Sequence, residues 1–370
     1  MKVMTVLGTR PEIIRLSRVI PLLDELTDHV LVHTGQNWDD QLSKVFFDDL
    51  GVRTPDHLLD ISRDSLGDAL GDVLSKSFAV ITEEKPDAFL VLGDTNSALS
   101  AVIAKRLHVP VYHMEAGNRS FDENVPEETN RRLVDHIADF NIAYTEHARR
   151  NLLAEGLHPR KVAVTGSPMR EVLDHYAPRI AESTIVANLG LEPGAYFMAS
   201  AHREENVDTA ERLTALVACL QGLAEEFGKP VVMSTHPRTR NRLEALGLDP
   251  ADDRVRFLEP FGFFDYVALQ KAAACVISDS GTISEESAML DFPSVTLRDS
   301  MERPEALEAG TVLMSGLDAD ELVRNVRAAI TAPSRAVPAG YDVPDTARRT
   351  VNFILSTAAR QHEWFGVRPR

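Results

Sequence analysis

Three carboxylates stand where the chain leaves an apolar run or enters a helix, and carboxylates so placed can move protons. Asp94 ends the run Phe89-Leu90-Val91-Leu92-Gly93, Glu115 follows the run ending His113-Met114, and Glu127 opens an amphipathic helix in Pro126-Glu127-Glu128-Thr129-Asn130-Arg131. Acids at the ends of different elements can converge over one ligand of an α/β sheet, within reach to take and return a proton. Any one alone reads as a helix cap or a solvated loop acid; the three together favour a site.

Cations and hydroxyls follow other apolar runs. Gly8-Thr9-Arg10-Pro11-Glu12 joins the first run to a helix. Gly8 permits a tight turn, Pro11 suits a first helical turn, and unpaired N–H groups at that helix start, with Arg10 and Arg15 nearby, would attract phosphate. After Ser200-Ala201, His202 and Arg203 would grip a diphosphate, and a hydrogen-bonded His can also protonate a leaving phosphate. Ser280-Gly281-Thr282 would present hydroxyls and N–H groups to an anion, while Glu286 on the following helix would accept bonds from a ribose diol. His236 ends another run in the same way, although alone such a residue is more often structural. The bland alternatives are solvent-facing arginines at 10 and 15, an interdomain ion pair for Arg203, and dipole complementation for one of Glu285 and Glu286.

The elements that must position these residues read as a repeated βα pattern. Strands are expected near 2–7, 30–34, 88–92, 109–114, 140–143 and 162–165, then near 196–200, 230–234, 255–258, 275–278, 294–297 and 311–314, with helix-like segments between them. The expected fold class is α/β: two Rossmann-like, doubly wound parallel-sheet domains facing a cleft. The domains expected are 1–173 and 196–344. A linker over 174–195 is punctuated by Pro178, Gly190, Pro193 and Gly194, and a C-terminal helix and tail over 345–370 would carry Trp364-Phe365 back to the first domain.

Composition excludes several partners. With 56 acids against 39 bases, the formal charge of −17 provides no basic field for nucleic acid or an anionic membrane surface, so an anionic ligand must be met locally. Cys219 and Cys275 lack metal or redox spacing and read as buried free thiols of a reducing compartment. Neither a signal-peptide core nor a transmembrane span is evident, which predicts a soluble cytoplasmic protein. No Walker loop, GxGxxG, HExxH or GxSxG is present, which argues against ATP, NAD, a required metal and serine-hydrolase chemistry. No cofactor is expected.

These motifs, in this order, resemble the non-hydrolysing UDP-N-acetylglucosamine 2-epimerase family over essentially the whole chain. The matching segments are Gly-Thr-Arg-Pro-Glu at 8–12, Gly-Asp-Thr at 93–95, Glu-Ala-Gly-Asn-Arg at 115–119 and Pro-Glu-Glu-Thr-Asn-Arg at 126–131. His-Arg-Glu-Glu-Asn at 202–206, Asp-Ser-Gly-Thr at 279–282 and Glu-Arg-Pro-Glu at 302–305 complete the series. The resemblance implies a glycosyltransferase-B-like arrangement, a homodimer, and UDP held mainly by the second domain. It further implies a mechanism: a base removes the C2 proton while UDP leaves C1, giving a 2-acetamidoglucal, and UDP adds back after reprotonation on the other face. By that analogy Asp94, Glu115 and Glu127 are the proton carriers and His202 is the phosphate partner, assisted by Arg10, Ser280, Gly281 and Thr282. Glu286 would hold the ribose, Arg303 the substrate, and Phe261 and Tyr266 the uracil. Arg15, Arg119, Arg131, Arg203 and His236 join the expected binding set.

Some segments depart from the common pattern. Thr34-Gly35-Gln36-Asn37-Trp38-Asp39-Asp40 replaces a more usual Thr-Ala-Gln-His-Arg, and Arg15 stands where many relatives have Lys. The variants Gly35-Gln36-Asn37, Glu-Ala-Gly-Asn-Arg at 115–119 and Pro260-Phe261-Gly262-Phe263-Phe264-Asp265-Tyr266 look closer to a branch that includes enzymes making UDP-N-acetyl-L-fucosamine. The leading expectation is interconversion of UDP-N-acetylglucosamine and UDP-N-acetylmannosamine, with the 6-deoxy-L-sugar reaction next. A glycosyltransferase would share the fold. A hydrolysing epimerase, which releases UDP and free sugar, and a silent UDP-sugar sensor are further alternatives.

Overall fold

The apolar runs are strands, and each returns to its sheet through a helix, which makes neighbouring strands parallel. The structure, a computed structural model, describes residues 1–36, 46–235, 237–248, 254–332 and 336–368. It divides into two units, Met1–Leu173 with Ala339–Arg370, and Asp174–Pro338.

The first unit contains β1 (Lys2–Leu7), β2 (Asp28–His33), β3 (His57–Leu58), β4 (Ala88–Leu92), β5 (Val111–Met114), β6 (Phe140–Ala143) and β7 (Val162–Val164) in the order β3-β2-β1-β4-β5-β6-β7. The second contains β8 (Phe197–Ser200), β9 (Val231–Ser234), β10 (Val255–Leu258), β11 (Cys275–Ser278), β12 (Ser294–Thr296) and β13 (Leu313–Met314) in the order β10-β9-β8-β11-β12-β13. Both are doubly wound α/β sheets of the Rossmann type. The strand order reverses beside β1 and β4 in one and beside β8 and β11 in the other, and such a sheet opens a crevice beyond the strand C-termini there. Gly8-Thr9-Arg10 and Gly93-Asp94-Thr95 flank the first switch point; Ala201-His202-Arg203 and Asp279-Ser280 flank the second.

Helices cover both faces, so the strands are largely apolar and alternation sorts their residues between two cores. In the second unit Phe197, Ala199, Met233, Cys275 and Ile277 pack with Leu213, Leu216 and Leu220 of the helix Ala210–Phe227. Met198, Val232 and Val276 point the other way, towards Leu269 and Ile283. Cys219 and Cys275 are buried free thiols, and burial pushes Cys219 up to about 11.

The first part of segment 174–195 is helical: the helix Met169–Ala181 extends into it, and the short helix Ile185–Asn188 follows. Ile185, Val186 and Leu189 pack beside Tyr196 and Leu269 of the second unit. The chain re-enters the first unit at Ala339. There Thr357 Oγ1, at the end of the helix Thr346–Thr357, lies 2.7 Å from Tyr112 Oη, and Phe353, Trp364 and Phe365 meet the Phe140 ring edge-on. No helix among the described residues is long and apolar enough to cross a membrane.

Candidate active site

At the end of β1, Glu12 folds back on its own turn. Its Oε2 accepts from Gly8 N at 2.9 Å, Thr9 N at 2.7 Å and Thr9 Oγ1 at 2.8 Å, and its Oε1 accepts from Thr95 Oγ1 at 3.1 Å. These bonds form a capping box at the start of the helix Arg10–Leu16 and link it to the turn after β4. The Gly8 and Thr9 N–H groups are therefore occupied by Glu12. Burial pushes the Glu12 carboxyl up to about 7, against the opposing pull of the bonds from Thr9, Gly8 and Thr95. Arg10 is half-buried with its guanidinium 6.0 Å from the Phe46 ring centre, and among the described residues it has no acidic partner.

Asp94 and Glu115 end the adjacent strands β4 and β5. Arg131, on the helix Pro126–Ile137, donates to Asp94 Oδ2 through Nε at 3.0 Å and its terminal NH2 at 2.5 Å, while Asn130 Nδ2 donates to the Asp94 carbonyl at 3.0 Å. Glu127 lies one turn before Arg131, hence on the helix face turned towards Asp94. Its side chain is half-buried and makes no hydrogen bond or ion pair among the described residues. Glu115 faces Arg15 at 3.3 Å, and a Cβ placed on Gly93 would lie 3.9 Å from Glu115 Oε2. The second carboxylate thus hangs over the residue preceding the first. Arg15 is itself buried, its guanidinium 5.7 Å from the Tyr144 ring centre.

Arg119 was expected to meet substrate, but its side chain is fully buried. Its Nε and one terminal nitrogen donate to Glu155 at 2.7 and 2.6 Å, and the other donates to Asp135 and the Asn118 carbonyl at 2.7 Å each. The Arg119 hydrogen bond, stronger than the opposing desolvation, holds Glu155 down at about 2.

In the second unit Asp279 is the organising group. Its buried carboxylate accepts from the backbone N–H of His202 and Arg203 and from Asn206 Nδ2, at 3.0–3.2 Å, and lies 3.1 Å from His202 Nδ1. Desolvation raises the Asp279 pKa, but His202, Asn206 and Arg203 outweigh it and hold the group at about 2. The His202 ring is 57% exposed, so Nε2 is left to meet a ligand. Desolvation lowers its pKa, but the Asp279 charge and hydrogen bond together outweigh this, for a net rise.

Arg203 Nε donates to the Asp279 carbonyl at 3.0 Å, and its NH2 lies 3.3 Å from Glu302. That ion pair is inside one unit, whereas the sequence alternative was interdomain. Ser280 and Thr282 are half-exposed, with hydroxyls 3.0 Å apart. Between them a Cβ on Gly281 would meet Glu302 Oε1 at 2.6 Å, so only glycine fits without moving that carboxylate. At the start of the helix Ile283–Leu290, buried Glu285 pairs with buried Arg303 at 3.0 Å and Glu286 Oε2 accepts from Gln270 at 2.7 Å. Burial raises the Tyr266 phenol pKa. Phe261 and Tyr266 pack on the core around Leu269. His236 lies outside the described residues. Among those residues, no group of three or more His, Cys, Asp or Glu side chains is placed to hold a metal ion.

Glu12 was not expected as a site residue, and Asp279, which stands in the Asp-Ser-Gly-Thr motif, was given no role of its own. A Thr-x-x-Glu signature at 9–12 announced the first; the bonds to Asp279 come from residues more than seventy positions away.

A family model described as UDP-N-acetylglucosamine 2-epimerase matches residues 23–355. The UDP-N-acetylglucosamine 2-epimerase of Methanocaldococcus jannaschii is 37% identical over 335 residues, 88% of this chain and 91% of that protein. Among solved structures, the UDP-N-acetylglucosamine 2-epimerase from Rickettsia bellii superposes with a TM-score of 0.92 at 44% identity, covering 99% of both chains. The M. jannaschii enzyme in complex with UDP-GlcNAc and UDP gives 0.91 at 34% identity, covering 96% of this chain and 100% of that one.

Proposed function

The chain belongs to the UDP-N-acetylglucosamine 2-epimerase family, and from that premise we propose how its residues divide the reaction. The protein is an isomerase that inverts C2 of UDP-N-acetylglucosamine to give UDP-N-acetylmannosamine, reversibly. Epimerisation by elimination needs a base for the C2 proton, an acid to return one on the opposite face, and a cationic partner for UDP as its bond to C1 breaks. The first unit supplies the proton carriers and the second the UDP site. The observation carrying this reading is that Asp94 and Glu115 end adjacent strands, each facing an arginine, while Glu127 on the neighbouring helix remains uncommitted.

UDP leaves C1 with the bonding electron pair as the C2 proton is lost, and its diphosphate charge is met in the second unit by His202, whose pKa Asp279 raises, together with the Ser280-Gly281-Thr282 turn; Arg10 of the first unit remains a candidate anion-binding residue. Glu286 binds the ribose, and Phe261 and Tyr266 give the uracil an apolar wall. Arg303 acts through Glu285 and the Gly281 carbonyl, to which it donates, fixing the shape of that turn. A homodimer follows from the resemblance, and sedimentation of the full chain tests it.

The competing sugar is the 6-deoxy-L series, favoured by Gly35-Gln36 and the Pro260–Tyr266 sequence. Proton NMR in deuterated water with UDP-N-acetylglucosamine, without added metal or NAD, separates the readings. C2-deuterated UDP-N-acetylmannosamine is expected. Exchange with the 6-deoxy-L substrate alone would move the substrate to that branch. Transfer to an added acceptor without C2 exchange would make the protein a transferase, and net release of UDP and free sugar would make it a hydrolase.

A further inference from the structure

Beneath the three acids lies a buried histidine that the reaction as described does not use. His113, on β5, has no exposed surface; one ring nitrogen is 2.7 Å from the Gly93 carbonyl oxygen and the other 2.8 Å from Asp135 Oδ1. A peptide carbonyl only accepts. The Asp135 carboxylate also acts as an acceptor, because its other oxygen receives Gly117 N–H at 3.2 Å and the Arg119 guanidinium at 2.7 Å. With both ring nitrogens set against acceptors, both carry hydrogen in this arrangement, and the side chain is an imidazolium.

The bonds made by this cation reach every acid-bearing segment. Gly93 immediately precedes Asp94. His113 stands two residues before Glu115 and Gly117 two residues after it, so Asp135 grips the chain on both sides of that acid. Asp135 lies on the same helix as Glu127 and Arg131. Glu115 itself has φ of 65°, left-handed backbone that non-glycine residues avoid and that persists only where surrounding contacts impose it. Gly117 has φ of 86°, and a Cβ there would meet the Ala148 carbonyl oxygen at 2.3 Å, so the turn has no room to relax on that side.

We propose that His113 is a positioning residue for the epimerisation: a buried imidazolium that ties together the β4 turn carrying Asp94, the β5 turn carrying Glu115 and the helix carrying Glu127. The inference rests on the assignment of those acids as proton carriers. A base and an acid that serve opposite faces of one carbon must hold their separation within a fraction of an ångström, and a small misplacement of reacting groups costs rate, not binding. The charged groups around the ring are Asp135 and, through it, Arg119 and Glu155, with the Asp94 charge also felt. Desolvation lowers the ring's pKa, and Asp135, the Gly93 carbonyl and Asp94 raise it further, in agreement with the bonding pattern.

The test joins a spectrum to kinetics on the full chain. Nitrogen NMR of the histidine rings should show His113 doubly protonated at a pH of about 8, where an ordinary histidine is neutral; a neutral His113 ring there overturns the proposal whether or not the enzyme turns over. In kinetics, folded His113→Gln should lose about 10²-fold in kcat and in C2 exchange, while the KM for the UDP-sugar stays within about threefold and UDP affinity is unchanged. Asp135→Asn should show the same split, and serves if His113→Gln does not fold. A folded variant of either kind with parental kcat and only a lowered melting temperature overturns the proposal, since that is what a purely structural contact predicts. Absence of C2 exchange in the wild type would instead strike the epimerase reading, and the ring spectrum of the same sample still decides whether His113 is the buried cation.

Discussion

Arg131 donates two hydrogen bonds to one oxygen of Asp94, Oδ2, and spends its remaining terminal nitrogen on Glu128 at 2.6 Å. The guanidinium is buried, so it orients Asp94 from below and ties the β4 turn to the helix Pro126–Ile137. Both consequences are separable. Asp94→Asn keeps the side-chain volume but removes the proton carrier, and turnover should fall by about 10²–10⁴-fold with UDP binding retained. Arg131→Met leaves Glu128 buried without that partner and should cost about 3–5 kcal/mol of stability. Steady-state kinetics and urea unfolding check the two; an Asp94→Asn enzyme with near-parental kcat would remove Asp94 from the mechanism.

Glu12 carries a pH signature. Its folded pKa is raised from 4.5 to about 7, so the folded chain binds a proton that the unfolded chain has already released. Protonated Glu12 therefore favours folding below its unfolded value, and this contribution is lost as pH rises from 4.5 through about 7. The slope is at most about 1.4 kcal/mol per pH unit. Glu12→Gln cannot titrate. Its urea midpoint, compared with that of the parent across this window, should gain relative stability with rising pH; parallel profiles would show that Glu12 does not titrate there.

His202 and Asp279 make ligand binding pH-dependent in the opposite structural setting, a ring more than half exposed beside a buried carboxylate. The raised His202 pKa extends the range in which the ring is cationic to higher pH, so UDP affinity should weaken as pH climbs past that pKa. Replacing His202 by Gln should weaken UDP by about 10–100-fold at neutral pH, the value of a charge-assisted bond. Asp279→Asn should shift the loss to lower pH. Calorimetric titration of UDP over a pH series decides; identical pH profiles for parent and Asp279→Asn would detach the aspartate from the histidine's charge.

The sheets were legible because strands covered on both faces leave uninterrupted apolar runs, as at Phe89–Leu92 and Cys275–Ser278. The two-residue β3 left no such trace; its His57 and Leu58 owe their place to pairing with Val32 and His33. The acids and His202 were legible because polar residues directly after such runs lie at the ligand end of the sheet. What each side chain binds was not. Arg119 stands in a site motif yet is consumed by Glu155, 36 residues later, and His113 reads as one more strand residue until Asp135 and Gly93 are seen on either side of it. Partners distant in sequence leave no periodicity behind, so the buried polar framework emerged only in three dimensions.

Neighbouring Glu127 and Glu128 should respond oppositely to the same change. Glu128 is buried; it accepts from the Ser120 N–H and hydroxyl and from Arg131 and Arg132. Desolvation raises its pKa, and Ser120 and Arg131 more than reverse this, for a net fall. A depressed carboxylate stabilises the fold above its unfolded pKa, and that stabilisation disappears as pH falls through the folded value. Glu128→Gln should therefore cost about 3–5 kcal/mol at neutral pH, with a smaller deficit in acid. Glu127 has no such bonds to lose, and Glu127→Gln should unfold like the parent while turnover drops by about 10²–10⁴-fold. Urea curves at two pH values, paired with C2 exchange rates, distinguish the roles. An unstable but otherwise normal Glu127→Gln enzyme would make that residue structural and leave the proton chemistry to Asp94 and Glu115.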